Sequence, residues 1–158
     1  MTDDTGRRQF ISIQRSSKTI IKDLIKEYKR GTIDIRKTPD IEFLGEEGID
    51  ASGLTREFSH LIMTSISEGK GGFVFFEGEK DHLLPVHCTE YVSSQYFLYV
   101  GKMIAHSVLH TGTGPIGLSR ALCTFLITGD LERAMVQLTL KDVPDLEVRE
   151  TLEKVIRD

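Results

Sequence analysis

The stretch Ile41-Glu-Phe-Leu-Gly-Glu-Glu-Gly-Ile-Asp-Ala-Ser-Gly-Leu-Thr-Arg-Glu-Phe58 holds the end of a strand, a loop and the start of a helix within eighteen residues. Phe43 and Leu44 read as the end of a buried strand. Gly45, Gly48 and Gly53 let the backbone turn where a side chain would clash. Leu54, Phe58, Leu61, Ile62 and Ile66 then recur at i, i+4, i+7, i+8 and i+12, the stripe of an amphipathic helix. Strand, loop and helix are therefore expected to share one core. Glu46, Glu47 and Asp50 stand just ahead of the helix, where its partly positive N-terminus favours negative charge. Arg56, followed by Glu57, is expected to answer them from the first turn. A calcium loop would need ligands at every second position around a central glycine and a bidentate acid at its end, which Glu46 to Glu57 does not supply. A phosphate cradle is disfavoured because the acids would repel the ligand.

Upstream, Phe10-Ile-Ser-Ile-Gln14 alternates as a short strand does. Ser16 or Ser17 is placed to cap a helix with the stripe Ile20, Ile21, Leu24, Ile25 and Tyr28, and Gly31 stops it. Its other face carries Lys18, Lys22, Lys26, Lys29 and Arg30. Asp23 and Glu27 interleave with these and no aromatic platform accompanies them, so a solvated face is favoured over a nucleic-acid partner. Met1 to Gln9 is polar with no apolar run, which excludes a secretory signal and reads as a disordered leader. Residues 10–158 are then expected to form a single domain of an intracellular protein, cytoplasmic or nuclear.

Downstream, Gly69-Lys-Gly-Gly72 breaks the chain before Phe73-Val-Phe-Phe76, and Gly78 to Asp81 turns it toward His82-Leu-Leu-Pro-Val86. This predicts a small hairpin whose second arm, with Pro85, is an edge or irregular strand. His82, His87 and Cys88 lack a fourth ligand at finger spacing, so loop residues are preferred to a zinc site. The most apolar helix runs from a cap at Ser93 or Ser94 to Leu109. Phe97, Val100, Gly101, Ile104, Ala105, Val108 and Leu109 are expected on its core face. His106 and His110 have the spacing of a helical zinc pair, but Ser107 stands where a metalloprotease carries its glutamate and Lys102 repels a cation. Both are read as surface histidines.

Gly112-Thr-Gly-Pro-Ile-Gly117 spells the dinucleotide-binding glycine pattern, yet it follows a helix where that motif follows a strand, so Gly112 is read as a C-cap. Ser119 is read as a helix cap in preference to a nucleophile, and Cys123, in the stripe of Leu118, Leu122, Phe125 and Leu126, as a small core residue. Asp130 is expected to cap a short helix. Asp142, Pro144 and Asp145 open the last one, whose apolar stripe is Val148, Leu152, Val155 and Ile156 and whose Arg149 is read as a surface residue.

With 39% hydrophobic and 28% charged residues in 158, the composition is that of a soluble globular chain. No apolar run approaches the roughly 18 residues of a membrane span. Two cysteines make neither a metal framework nor a disulfide scaffold, which fits a reducing compartment. The charge is uneven: residues 1–37 hold ten Lys or Arg against five acids, and residues 38–158 ten against nineteen. A basic front segment docking on an acidic body accounts for this. The predicted fold class is α+β, mostly helical, with short strands and a small hairpin. No cofactor, metal or small-molecule ligand is expected.

Phe43-Leu-Gly-Glu-Glu-Gly-Ile-Asp-Ala-Ser-Gly-Leu-Thr-Arg-Glu-Phe58 resembles the early signature of HECT-type ubiquitin ligases, in which a strand, a Gly-Glu-x-Gly-x-Asp loop, a glycine pair and an Arg-Glu-Phe helix start follow in that order. Phe97, Gly101, Lys102 and Ile104 are similar to the family's Phe-x-x-x-Gly-Lys/Arg-x-Ile helix, and Leu138 to Asp145 resembles its leucine-aspartate stretch. The wording is closest to HECT-like proteins named for the G-two/M cell-cycle phase. Ser52 stands for the first glycine of the usual pair and Ser59 for an apolar residue. The resemblance implies the first part of an N-terminal lobe, specifically its large subdomain. The whole protein would then be a ubiquitin-protein transferase that works with a ubiquitin-conjugating enzyme on protein substrates. Neither Cys88 nor Cys123 matches the family's catalytic position, so no catalytic residue is assigned and the chain by itself is expected to be inactive. The other reading kept open is a non-catalytic HECT-like interaction module.

Overall fold

Alternation in one segment and a 3.6-residue stripe in the next produce a β–α–β start. In the computed structural model, which describes residues 7–46 and 50–157, β1 (Arg8–Ile13) leads into α1 (Ile20–Arg30) and then β2 (Thr38–Phe43). The two strands pair in parallel, with Ile11 opposite Ile41 and Ile13 opposite Phe43. The strand opens at Arg8, two residues ahead of the expected start. All five stripe residues of α1 are buried, and Gly31 ends the helix in the left-handed conformation. Each such side chain contributes about 1.5 to 3 kcal/mol on full burial. The helix is entered at Thr19, with no side-chain cap. Ser16 takes part through its backbone carbonyl, which accepts from Ile20 N, where a serine hydroxyl had been expected.

α2 (Ala51–Glu68) follows. It buries Phe58, Ile62 and Ile66 as predicted, and also Thr55, Ser59, Met63 and Ser65. Gly53 lies inside this helix and is not one of the left-handed glycines, so it does not turn the loop; Gly45, at φ +83°, does. A 3₁₀ turn at Lys70–Gly72 ends the run. There Gly71 has φ +76° and a Cβ would sit 2.7 Å from the Lys18 carbonyl oxygen, so no other residue fits without backbone movement.

The expected hairpin forms but is short: β3 (Phe76–Glu77) pairs antiparallel with β4 (Leu84–Pro85). A short α3 (Thr89–Ser93) precedes α4 (Tyr96–Thr111), which Gly112 caps in the left-handed conformation. The core face of α4 is Tyr99, Val100, Met103, His106 and Ser107, whereas Leu98, Val108 and Leu109 are at least 48% exposed. Because the helix is apolar on more than one side, its pattern did not specify which side the neighbours would cover.

α5 (Arg120–Thr128), α6 (Leu131–Met135) and α7 (Leu146–Arg157) complete the chain. The described residues thus form an α+β, mostly helical architecture with two two-stranded sheets. They divide into two compact units, residues up to Val74 with Cys88–Pro115, and Phe75–His87 with Ile116 onward. In the first unit α1, α2 and α4 pack on one another, and α2 lies on β2. In the second, α5 and α6 pack together around an apolar groove of about 260 Å³ lined by Leu84, Leu122, Phe125, Leu131, Met135 and Leu138. The stripe of α7 is largely exposed, and Arg149, expected on the surface, is its buried residue. No described helix is long and apolar enough to cross a membrane.

Candidate functional site

The acidic stretch between β2 and α2 is built around two side chains. Asp50 is the N-cap of α2, with its carboxylate accepting from the Ser52 amide at 3.0 Å and the Ser52 hydroxyl at 2.9 Å. Hydrogen bonds from the Gly53 amide and from Ser52, aided by Arg56, hold its carboxyl below the usual carboxylate range. A Cβ at Gly53 would lie 2.8 Å from the Asp50 carboxylate, so the glycine makes room for this cap. Glu46 points elsewhere. It takes a two-point contact from Arg15, Nε to Oε1 and Nη2 to Oε2, both at 2.7 Å. The same guanidinium pairs with Glu57 and lies over the Phe43 ring, 4.1 Å from its centroid. Arg15 therefore ties the exit of β1 to the loop and to the first turns of α2.

Arg56, expected to answer these acids, is exposed and makes no ion pair among the described residues; within them it acts on Asp50 through its charge alone. The cation that the acids engage is Arg15, from the basic front segment of the chain. The surplus of acids over cations in residues 40–57 is the signal that a second cation had to arrive from elsewhere. Glu47 lies outside the described residues, as do Gly48 and Ile49. Glu46, Asp50, Gly53 and Glu57 share a cleft of about 540 Å³ with Arg15 and the exposed ring of Phe10. Among the described residues of this cleft there is no cysteine, serine or histidine to act as nucleophile or base. The arrangement positions backbone and presents negative charge: Arg15 engages Glu46 and Glu57, and Asp50 is committed to the cap of α2.

The remaining candidates of the sequence take structural places. Ser119 accepts from the Leu122 amide at 3.0 Å and caps α5, and Asp130 caps α6 through the Arg133 amide at 3.0 Å. Of the basic face of α1, Lys26 pairs with Asp23 and Arg30 with Glu27. His82 donates from Nδ1 to Asp142 at 2.9 Å, and Asp142 also accepts from the Thr139 amide and hydroxyl at 2.7 and 2.9 Å. Burial raises the Asp142 pKa, but the hydrogen bonds from His82 and Thr139 outweigh it and leave the carboxyl below its ordinary value. Among the described residues no three His, Cys, Asp or Glu side chains gather as a metal site. His106 is not a surface residue: it is 2% exposed and bonded at both ring nitrogens, and His110 is half-buried.

Arg149 is the other missed residue. Its Nε and Nη2 donate to the Val143 carbonyl at 3.1 and 2.6 Å, and Nη1 pairs with Glu79. No spacing in α7 distinguishes it from the exposed charges beside it.

No family model matches the chain, and no solved structure matches it. Similarity is found among curated proteins. The E3 ubiquitin-protein ligase UPL2 of Arabidopsis thaliana is 34% identical over 104 residues, which is 62% of this chain and 3% of that protein. The E3 ubiquitin-protein ligase Smurf1 of Drosophila melanogaster is 29% identical over 80 residues, 49% of this chain and 8% of that protein. The probable E3 ubiquitin-protein ligase mug30 of Schizosaccharomyces pombe is 33% identical over 75 residues, 47% of this chain and 9% of that protein. Across roughly half of its length or more, the chain is thus similar to a piece, under a tenth, of proteins named as E3 ubiquitin-protein ligases.

Proposed function

We propose that the chain is a scaffold portion of a HECT-like ubiquitin-protein ligase. The whole protein takes ubiquitin from a ubiquitin-conjugating enzyme and passes it to protein substrates, and this portion positions the parts that do so. The observation that carries the reading is the similarity to ligases of a plant, a fly and a fission yeast. The strand, the acidic loop and the Arg-Glu-Phe helix start agree with it. So do the exposed apolar faces of α5, α6 and α7, which suit a piece that packs on further protein. The finer reading is a HECT-like protein of the kind named for the G-two/M phase, acting inside the cell in the cytoplasm or nucleus. Cys88 enters α3 beside Glu90 and Cys123 lies half-buried in α5, and neither is assigned a thioester role.

Two measurements test this. Supplied with ubiquitin and its activating and conjugating enzymes, the isolated chain is expected to form no reductant-sensitive ubiquitin adduct. An adduct that disappears with reductant and with Cys88→Ala overturns the scaffold assignment. Exchanged for the corresponding stretch of one of the similar ligases, the chain is expected to preserve self-ubiquitination; a folded chimaera without it counts against the reading.

A further inference from the structure

The connection between α1 and β2 is held to α4 by two histidines one helical turn apart. His106 places Nε2 2.9 Å from the Lys37 carbonyl and Nδ1 2.8 Å from the Tyr28 hydroxyl. A carbonyl can only accept, so Nε2 carries the proton, Nδ1 presents its lone pair, and the Tyr28 O–H donates to it. Burial pushes the Tyr28 phenol upward in pKa, so that donor persists across the physiological range. His110 repeats the pattern, with Nε2 donating to the Ile35 carbonyl at 2.9 Å and Nδ1 3.3 Å from the Thr38 hydroxyl. The two rings meet edge to face with centroids 5.0 Å apart. The same connection is gripped from β1 by Gln9, whose amide bonds the Thr32 carbonyl and the Asp34 N–H and does not titrate.

We propose that His106 forms an acid-sensitive latch which, with His110 as a second tether, fastens residues 31–37 and the head of β2 to α4 at neutral pH and loosens them on acidification.

A proton added to His106 puts a second N–H at Nδ1, facing the Tyr28 hydroxyl. That hydroxyl must turn and accept, which strips its own O–H of an acceptor inside the core. The adjoining cavity, lined by Tyr28, Ser59, His106 and Ser107 among others, measures about 10 Å³ and holds at most one water. The ionisable groups facing His106 are Tyr28 from α1, His110 from α4, and Asp34 and Lys37 from the connection. The other residues around that cavity, Pro39 from β2, Phe58, Ser59 and Ile62 from α2, and Met103 and Ser107 from α4, do not ionise. Asp34 is the carboxylate among them, and Arg36 already engages both of its oxygens. Burial lowers the His106 pKa and the neighbouring His110 adds to this, outweighing the Lys37 carbonyl and Asp34, which raise it. A histidine with a depressed folded pKa stays neutral in the folded state while the released state takes up a proton near pH 6.5. The latch is therefore at full strength above that value and weakens as pH falls from there toward the folded pKa.

Amide hydrogen exchange across residues 32–38 of the full chain tests this, with protection factors corrected for intrinsic rates. The amides of Thr32, Asp34, Lys37 and Thr38 are hydrogen-bonded and report directly. Between pH 6.5 and 5.5 their protection is expected to fall, by at most about fivefold, the limit set by one proton taken up near pH 6.5, while α5 stays level. His106→Gln with His110→Gln keeps a donor and an acceptor at each site without titration and is expected to flatten the profile. A flat wild-type profile, or the same fall in the double variant, overturns the latch. Should the double variant not fold, the ring nitrogen shifts of wild-type His106 decide. A folded-state ring that keeps its neutral Nε2–H form while protection falls supports the latch, and a folded ring already protonated at pH 6.5, before protection falls, overturns it.

Discussion

The two compact units place charge and apolar surface in opposite ways. In the first, Leu24, Phe43, Ile66 and Met103 are at most 1% exposed, while the Arg15 cluster lies outside, its side chains 32% to 50% exposed. In the second, Asp142 and Arg149 are at most 7% exposed, and Ile127, Val136 and Ile156 are at least 69% exposed. Both units contain an arginine bound to oxygen acceptors from distant parts of the chain. Solvent makes the difference between them. Water screens Arg15 and re-solvates its partners when it is lost, whereas loss of Arg149 leaves the carbonyl of half-buried Val143 without these donors.

The largest effect should therefore come from Arg149→Ala, which removes two hydrogen bonds to the Val143 carbonyl and the pair with Glu79. A destabilisation of more than about 2 kcal/mol is expected in urea denaturation, with exchange of the α7 amides as a local readout. A loss under about 1 kcal/mol would erase the contrast between the units. Arg15→Ala comes next, at about 0.5 to 1.5 kcal/mol, from two exposed ion pairs and the contact with the Phe43 ring. Its cost should shrink between 0.05 and 0.5 M salt, a range set to cross the Debye length of about 10 Å at 0.1 M; a salt-independent loss would assign the contribution to ring packing. Arg56→Ala is expected to stay within about 0.5 kcal/mol, as exposed substitutions do. A change above about 1 kcal/mol would restore Arg56 as the partner of the acidic loop.

What could be read from the sequence was local. The stripe of α1, the stops at Gly31 and Gly112 and the caps at Ser119 and Asp130 depend on residues within a turn or two, and each is found as expected. The pairings that were missed span 31 and 42 positions for Arg15 and 70 for Arg149. No periodicity reports on such distances, so the acidic loop was matched to its nearest cation, Arg56. For the histidines of α4 the pattern gave the spacing correctly, but their depth depends on which apolar side the other helices cover. The stripe of α7 shows the same limit: amphipathicity marks a face as apolar without saying what lies against it.

The chain passes from the first unit to the second at Val74, returns at Cys88 and leaves again after Pro115. Each unit is therefore assembled from two separate pieces of sequence. During synthesis, residues 75–87 emerge before any of the helices they belong with, and α4 reaches its partners only after this excursion has been made. Shortening from the C-terminal side to Pro115 would leave β3 and β4 without the rest of their unit, and shortening to Val74 would remove α4 from the other. Deletion mapping thus cannot assign a binding property to either unit by cutting once; internal replacement of residues 75–87 together with 116–157 is the operation that separates them.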